Sequence, residues 1–336
     1  HALELGFDDC RFTTADPPES AGQFLKWLQG QRHGTMGWME RNASRRIDPQ
    51  LVLDGARSVI TLAASYDSGN GEQTGSGRGV IARYARYADY HDALAQALGQ
   101  LTERVQSLAG EGARSLWYVD TGPIQERVYA QYAGLGWVGK NTCLINAEIG
   151  SWLFLAEIIC TLELETDSEG LEQCGSCTRC LEACPTGALV ESGVLDSTRC
   201  LSYLTIETKG AIPTENRAGL EGHVYGCDVC QEVCPFNSGA PVSQDPAWEP
   251  RGLFDGSRLA TLWRRSDTDL RAAIRHGAMS RVRVKRLRRN LAVAMGNSGA
   301  DDVAAALEQD PPDADSLREP LVAEHVAWAR RRIRRT

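Results

Sequence analysis

The sequence predicts an α+β protein in three consecutive parts, and three observations carry that expectation. Strand-like apolar runs alternate with helical patterns over the first half of the chain. From near Glu165 to Pro246 the chain is rich in cysteine and glycine and has few long apolar stripes. After Trp248 it turns helical and rich in Arg, Ala and Leu. A single core stops growing near ~250–300 residues, so 336 residues suit two or three domains. The expected units are 1–165, 166–246 and 247–336.

Composition narrows the class. Hydrophobic content of 42% with 24% charged residues is ordinary for a globular protein. No run approaches the ~18–20 apolar residues of a membrane span; the longest, Trp152 to Ile159, is broken by Glu157. The first ten residues lack the basic-then-apolar layout of a signal peptide, so a cytoplasmic protein with no membrane partner is expected. A net charge of −8 argues against a whole-surface nucleic-acid binder but leaves room for a local basic patch. Eleven cysteines in a long chain without an export signal point to metal binding over a disulfide framework.

The elements follow in order. Phe24 to Leu28 reads as part of an amphipathic helix closed by Gly30. Arg57 to Ser65 is a β-branched and apolar run between turn signals, hence a buried strand. Residues 68–79 hold five glycines and no large apolar side chain, as a mobile surface loop would. Tyr90 to Ala109 places Leu94, Leu98, Leu101, Val105 and Leu108 on one helical face. Ser115 to Val119 is a second strand, which Asp120-Thr121-Gly122-Pro123 ends before a helix starts. Thr142 to Ile145 and Trp152 to Leu162 are two further strands, and Lys285 to Ala294 and Leu317 to Arg332 are packed helices.

Residues 174–185 read Cys-Gly-Ser-Cys-Thr-Arg-Cys-Leu-Glu-Ala-Cys-Pro, the bacterial ferredoxin run for a 4Fe–4S cluster. In two-cluster proteins its fourth cysteine serves the other cluster, which demands a second set. Residues 227–235 supply one, Cys-Asp-Val-Cys-Gln-Glu-Val-Cys-Pro, with Cys200 upstream. Cys174, Cys177, Cys180 and Cys234 then hold one cluster, and Cys184, Cys200, Cys227 and Cys230 the other. Paired zinc sites are the competing reading; the two C-x3-C-P endings favour iron. Cys143 and Cys160 lie in apolar runs and read as inert buried thiols, and Cys10 has no partner motif.

Two motifs mislead. Gly134 to Gly139 matches G-x-G-x-x-G and, through Lys140-Asn141, nearly a P-loop. A phosphate loop follows a strand and opens a helix; here a helical stretch precedes and a strand follows, and Asn141 stands where Ser or Thr belongs. These glycines are expected to let the backbone approach a large flat ligand. Asp89-Tyr90-His91 begins like the D-x-H-x-x-G signature that supplies histidine to cobalt, but Leu94 occupies the glycine position, so His91 reads as a capping or surface residue. A basic run, Arg275 to Asn290, holds seven cations and no acid, and Arg330, Arg331, Arg332, Arg334 and Arg335 lie near the end. Such concentration reads as a phosphate footprint, with Arg283, Arg286 and Arg289 as its centre, or else as a solvated helix face.

Ordered pieces spread over nearly the whole chain carry a family resemblance. They are His33-Gly34-Thr35-Met36, Arg45-Arg46-Ile47-Asp48-Pro49, Asp89-Tyr90-His91, Val119 to Pro123, Gly136 to Asn141, Gly150-Ser151 through Glu157, Arg199 to Thr205 and the two cysteine runs. Together they resemble the epoxyqueuosine reductase family, cobalamin-dependent iron–sulfur enzymes of tRNA modification. The resemblance implies a corrinoid-binding α/β domain like the reductive dehalogenase/nitroreductase core, a ferredoxin-like domain with two 4Fe–4S clusters, and a C-terminal HEAT-like helical domain. It places the proton donor on Asp120 and the corrin contacts on Arg46, Ala82, Asp120, Gly139, Leu144, Leu155, Ser202 and Asp228. It places a tRNA contact on Lys209. It also implies base-off cobalamin without a histidine ligand, a tRNA anticodon loop carrying epoxyqueuosine as substrate, an external low-potential electron donor, and a monomer.

The chemistry agrees with the resemblance. Side chains carry no spare electrons, so reducing an epoxide carbon requires a cofactor. Cob(I)alamin is a strong nucleophile that low-potential clusters can recharge one electron at a time. The leaving oxygen needs a proton, and a carboxyl at a strand end beside an apolar corrin face, Asp120, would be desolvated and kept protonated. Helix N-capping is its other reading. A dehalogenase-like corrinoid reductase of small molecules would not need the basic region, and a ferredoxin-like carrier would not need some 165 residues before the clusters.

Iron analysis of anaerobically prepared protein should return about eight irons per chain, because two cubane clusters are expected. Cys184→Ser should disturb the cluster held by Cys200, Cys227 and Cys230 and spare that of its sequence neighbours. Four irons, or zinc, would overturn the ligand sets.

Overall fold

The structure is a computed structural model, and it describes residues 1–334 apart from 70–74, 111, 253, 255 and 257. The middle of the glycine-rich loop expected at 68–79 and the Arg335 of the basic terminus therefore lie outside the described residues.

The first part is built on a four-stranded antiparallel sheet ordered β1-β2-β7-β4. After β1 (Asp9–Thr14) come the helices α1 (Ala21–Gln29), α2 (Gly37–Arg41) and α3 (Ala43–Arg46). The expected strand at Arg57 to Ser65 is β2 (Ser58–Ser65); every residue in it is buried, as suits a central strand of β-branched and small apolar residues. A two-residue strand, β3 (Val80–Ile81), precedes α4 (Tyr90–Ala109). The Asp89 carboxylate caps α4 by accepting the His91 amide at 3.1 Å, and Leu94, Leu98 and Leu101 bury the expected face, whereas Leu108, expected on the same face, is exposed near the helix end. β4 (Ser115–Val119) is the sheet's other edge, and α5 (Glu126–Tyr132) follows it.

Thr142 to Ile145 does not form a four-residue strand. β5 (Trp137–Val138) and β6 (Leu144–Ile145) make a two-residue ladder, because Thr142 has a left-handed φ of 66° and its amide turns back to the Gly139 carbonyl at 2.8 Å. β7 (Leu153–Cys160) runs between β2 and β4, with Glu157 opposite Thr61 on one side and Tyr118 on the other.

The cysteine-rich part is compact and short of long elements. It contains α6 (Arg179–Ala183), the hairpin β8 (Leu189–Glu191) with β9 (Val194–Leu195), a π-helical turn at Tyr203–Glu207, α7 (Thr214–Arg217), β10 (His223–Tyr225) and α8 (Val229–Glu232). β10 pairs in parallel with β3, which stitches this part to the first. The helical remainder is as expected: α9 (Leu259–Trp263), α10 (Asp267–Ile274), α11 (Val284–Asn297), α12 (Asp301–Leu307) and α13 (Pro320–Ile333). Ser266 and Asp269 form a capping box on α10, and Pro320 opens α13.

The largest apolar core spans all three parts, joining Ile60, Leu62 and Phe154 of the sheet, Leu98 of α4, Val224 of β10, and Leu259 and Leu291 of the helical end. Among the described residues no helix is long and apolar enough to cross a membrane.

One buried histidine fastens α13 to the cysteine-rich part. His325 Nε2 accepts the Ile212 amide at 3.1 Å while Nδ1 donates to the Leu321 carbonyl at 2.7 Å. Burial lowers its pKa to about 4. The unfolded chain therefore binds a proton near pH 6.5 that the folded chain refuses, so stability falls as the pH drops from about 6.5 to about 4. Chemical unfolding at pH 7 and pH 5 should show a smaller loss between those pH values in His325→Gln than in wild type.

Candidate active site

Eight free cysteines line the contact between α6 and α8 and the segments around them. Several of them are neighbours within the expected sets. Burial raises Cys180 and Cys234, and each also feels Cys174 and Cys177. Burial raises Cys200 to about 11, with Cys227 and Cys184 beside it, and Cys230 has Cys227 and Cys200 as neighbours. Thiols crowded in this way fit cluster ligation, in which all would be thiolates. Two N–H groups already point at sulfur: Trp137 Nε1 donates to Cys174 Sγ at 3.4 Å, and the Ala188 amide to Cys184 Sγ at 3.2 Å.

Cys143 departs from the inert reading. It hydrogen-bonds Cys230, and that bond outweighs burial and lowers its thiol to about 7. Cys160 is buried, and burial raises Cys10 to about 11, as inert thiols should behave.

Gly134 and Gly136, in the stretch expected to approach a flat ligand, pack against the chain itself. A Cβ on Gly136 would lie 2.2 Å from the Ile145 carbonyl oxygen, and one on Gly134 would lie 2.1 Å from that of Ser168. Lys140, which mimicked a P-loop lysine, donates from Nζ to the Cys177 carbonyl at 3.0 Å and to that of Gly175. Asn141 donates to the Cys230 carbonyl at 3.4 Å. The stretch is a strut between the sheet and both cysteine loops.

Asp120 stands at the end of β4 with a left-handed φ of 57°. It caps no helix, since α5 starts only at Glu126. Tyr90 Oη donates to its Oδ2 at 2.8 Å, and His91 Nε2 lies 3.9 Å from the same atom. The desolvation expected for Asp120 is absent: its side chain is 48% exposed. Desolvation falls instead on two acids that sequence reasoning gave no role. Burial, then Asp120, raise the half-buried Glu126 to about 7. Glu157 is 1% exposed, neither of its carboxyl oxygens has a hydrogen-bond partner, and burial holds it well above the carboxylate range. The signal was visible as the one charge inside the apolar run 152–159.

Arg46 faces these acids. It donates to the Ile124 carbonyl at 3.1 Å and lies over the Trp38 ring, while its buried Nε has no partner. Leu144 and Leu155 share an apolar cluster on the α5 side of the sheet. Ala82 meets Gly226, where a Cβ would come within 2.5 Å of Ala82 Cβ, and the Asp228 carboxylate accepts the Arg83 amide at 2.6 Å. Gly139 is buried and Ser202 half-buried. The expected corrin contacts thus fall on one side of the sheet and on the seam with the cysteine-rich part. The unpartnered Arg46 Nε and His91 Nε2, together with the apolar cluster of Leu144 and Leu155, suit a large ligand with an apolar ring and polar edges.

The basic run needs correction. Arg289 is fully buried and donates to the carbonyls of Leu204, Thr208 and Gly210, and burial lowers its pKa to about 9. It cannot hold a phosphate. Arg286 spends its guanidinium on the carbonyls of Ile206 and Arg281. Arg288 is equally buried, on Asp267. Near the end of the chain, Arg330 and Arg334 pair with Glu308. Arg283 and Lys209 remain exposed. Arg283 borders a groove of about 590 Å³ together with Arg271, Arg275 and Lys285.

Comparison with known proteins gives consistent matches. Residues 173–237 match a family described as a 4Fe-4S double cluster binding domain, and residues 46–121 match one described as Epoxyqueuosine reductase QueG, DUF1730. The chain is 38% identical over 334 residues to the epoxyqueuosine reductase of Xanthomonas campestris, covering 98% of this chain and 93% of the relative. It is 37% identical over 332 residues to that of Escherichia coli, covering 97% and 86%. A crystal structure of epoxyqueuosine reductase with a tRNA-Tyr epoxyqueuosine-modified tRNA stem loop superposes with a TM-score of 0.87 at 33% identity, covering 99% of this chain and 88% of that one.

The two kinds of arginine should separate in unfolding experiments. Arg289→Met leaves the buried Leu204 carbonyl and the partly buried carbonyls of Thr208 and Gly210 without this donor, so stability should fall by about 1–3 kcal/mol or more. Arg283→Met should stay within ~0.5 kcal/mol of wild type.

Proposed function

The chain belongs to the epoxyqueuosine reductase family, and on that premise we propose that it reduces epoxyqueuosine to queuosine at the wobble position of tRNA. The observation that carries the proposal is the meeting of Asp120, Tyr90, His91 and Arg46 at one end of a sheet whose other neighbours are two sets of four cysteines. The small-molecule and electron-carrier readings find no support among relatives matched over nearly the full length.

Cys174, Cys177, Cys180 and Cys234 would hold one 4Fe–4S cluster and Cys184, Cys200, Cys227 and Cys230 the other. Base-off cobalamin would lie against Ala82, Gly139, Leu144, Leu155, Ser202 and Asp228, with Arg46 at its edge. When bound, these groups supply low-potential electrons, taken from an external donor, and a metal nucleophile for the epoxide carbon. The protein supplies the rest. Asp120 stands free at a strand end, steered by the Tyr90 hydroxyl, and in our reading it donates the proton that the leaving oxygen needs. Its exposure in the structure suits an acid that a docked nucleoside would cover. His91 Nδ1 is held by Asp89 at 2.8 Å, and its Nε2 faces Asp120 at 3.9 Å without a hydrogen bond.

For the tRNA, Lys209 and the Arg271, Arg275 and Arg283 side of the groove would offer phosphate contacts, which position an RNA without reading its bases, whereas Lys285 is paired there with Glu319 at 3.7 Å. Selection of the modified base would then fall to the pocket at Asp120, entered by a splayed-out anticodon nucleotide. The units 1–165, 166–246 and 247–336 serve as corrin, cluster and HEAT-like tRNA domains in this reading.

The test is conversion of epoxyqueuosine-containing tRNA to queuosine-containing tRNA by anaerobically reconstituted protein with a chemical reductant. Asp120→Asn should keep the cluster and corrin absorption bands while turnover falls by about 10²–10⁴-fold. Near-wild-type turnover in that variant would move the proton donor elsewhere.

A further inference from the structure

Glu157 occupies a position that sheet physics reserves for an apolar residue. On the α5 side of β7, Leu155 packs in one apolar cluster with Ala63, Ala130 and Leu144, and Ile159 packs in another with Val59, Ile124 and Tyr129. Glu157 and its β2 partner Thr61 separate the two. The carboxyl lies beneath the loop that carries Asp120, for a Cβ on Gly122 would come within 2.9 Å of Glu157 Oε1. The groups facing it are Tyr118 on β4, Arg46 on α3, Asp120 in the loop and Glu126 on α5. None of them hydrogen-bonds it.

The reaction proposed above requires more acid than Asp120 holds. Turning an epoxide into an alkene and releasing its oxygen as water consumes two electrons and two protons. The electrons come from the cofactors and their external donor. Asp120 can give one proton at a time, and a bound nucleoside would cut its exposed side off from water. We propose that Glu157 stores the second proton and passes it to Asp120 within the same turnover. Asp120 protonates the leaving oxygen and becomes a carboxylate, and the Glu157 proton then restores it. Glu157 is left as a carboxylate beside Arg46 until solvent returns a proton, and no electron moves in that transfer. Burial without a hydrogen-bond partner favours the protonated form of Glu157, as a store requires. Glu157 is thus a positioning residue for a proton and touches no substrate.

This inference rests on Asp120 being the donor, and the experiment separates the two. Infrared spectra of the protein without substrate at pH 7 should show a protonated-carboxyl band with a component that is lost in Glu157→Gln and persists in both Asp120→Asn and Glu126→Gln. The absence of any such band from wild type at pH 7 overturns the inference whatever the variant does. In single-turnover assays of the loaded enzyme, Glu157→Gln should run near the wild-type rate at pH 6. Between pH 6 and pH 8 it should lose about tenfold per pH unit relative to wild type, because the second proton must then come from solvent. A profile parallel to wild type would make Glu157 merely structural. Wild-type behaviour of Asp120→Asn would remove the donor itself, which is a different failure.

Discussion

The arrangement of the site depends on one buried guanidinium. Arg83 is 6% exposed and lies over the Trp152 ring at 4.2 Å. Nη1 donates to Asp67 at 2.6 Å, Nε and Nη2 donate to Glu232 at 3.1 and 3.0 Å, and its amide donates to Asp228 at 2.6 Å. Asp67 follows β2, while Asp228 and Glu232 bracket Cys230 on the second cysteine run. One side chain therefore sets the position of a cluster loop against the sheet. Removing it would leave two carboxylates facing each other in a dry seam, a loss of ~3–5 kcal/mol or more. A planar fork with five donors serves two acids here in a way that a lysine could not.

The same economy explains why the basic run misled sequence reasoning. Seven cations without a neighbouring acid look unpaired in one dimension, but carbonyl oxygens need donors as much as carboxylates do. The π-helical turn at Tyr203–Glu207 breaks the regular ladder just after Cys200 and orphans a row of carbonyls. Arg286, Arg289 and Asn290 of α11 satisfy those of Leu204, Thr205, Ile206, Thr208 and Gly210. The run fixes the Cys200 segment from behind, and most of its charge is spent inside the chain. Nothing in the spacing of Arg289 marks it as buried; the irregular turn 80 residues earlier decides it.

Much else was legible. The strands at Arg57 to Ser65 and Ser115 to Val119 and the helix at Tyr90 to Ala109 follow from periodicity, because local geometry alone dictates them. Non-local burial stayed hidden. Thr142 and the glycines before it are shaped by Ile145 and Ser168, contacts across a turn and across domains that no pattern reports. Asp120 was legible as an acid at a strand end, but its exposure, and the deeper burial of Glu126 and Glu157, depend on which face of the sheet α5 covers.

That face shows how a fold can hold acids in reserve. A sheet alternates its side chains, so a carboxyl placed mid-strand on the covered face is enclosed on four sides by its cross-strand and same-strand neighbours. Glu157 has Leu155 and Ile159 along the strand and Thr61 and Tyr118 across it, and none of these can neutralise a charge. Arg46 is the one cation that eases its ionisation, and burial lowers the pKa of that arginine in turn. Each group is therefore most comfortable at the moment the other is charged. Three acids surround one arginine, graded in exposure from half-exposed Asp120 through Glu126 to sealed Glu157. Such an arrangement holds its proton inside while Asp120 is open to water; a docked nucleoside that desolvates the emptied Asp120 carboxylate would raise its proton affinity and draw the stored proton outward.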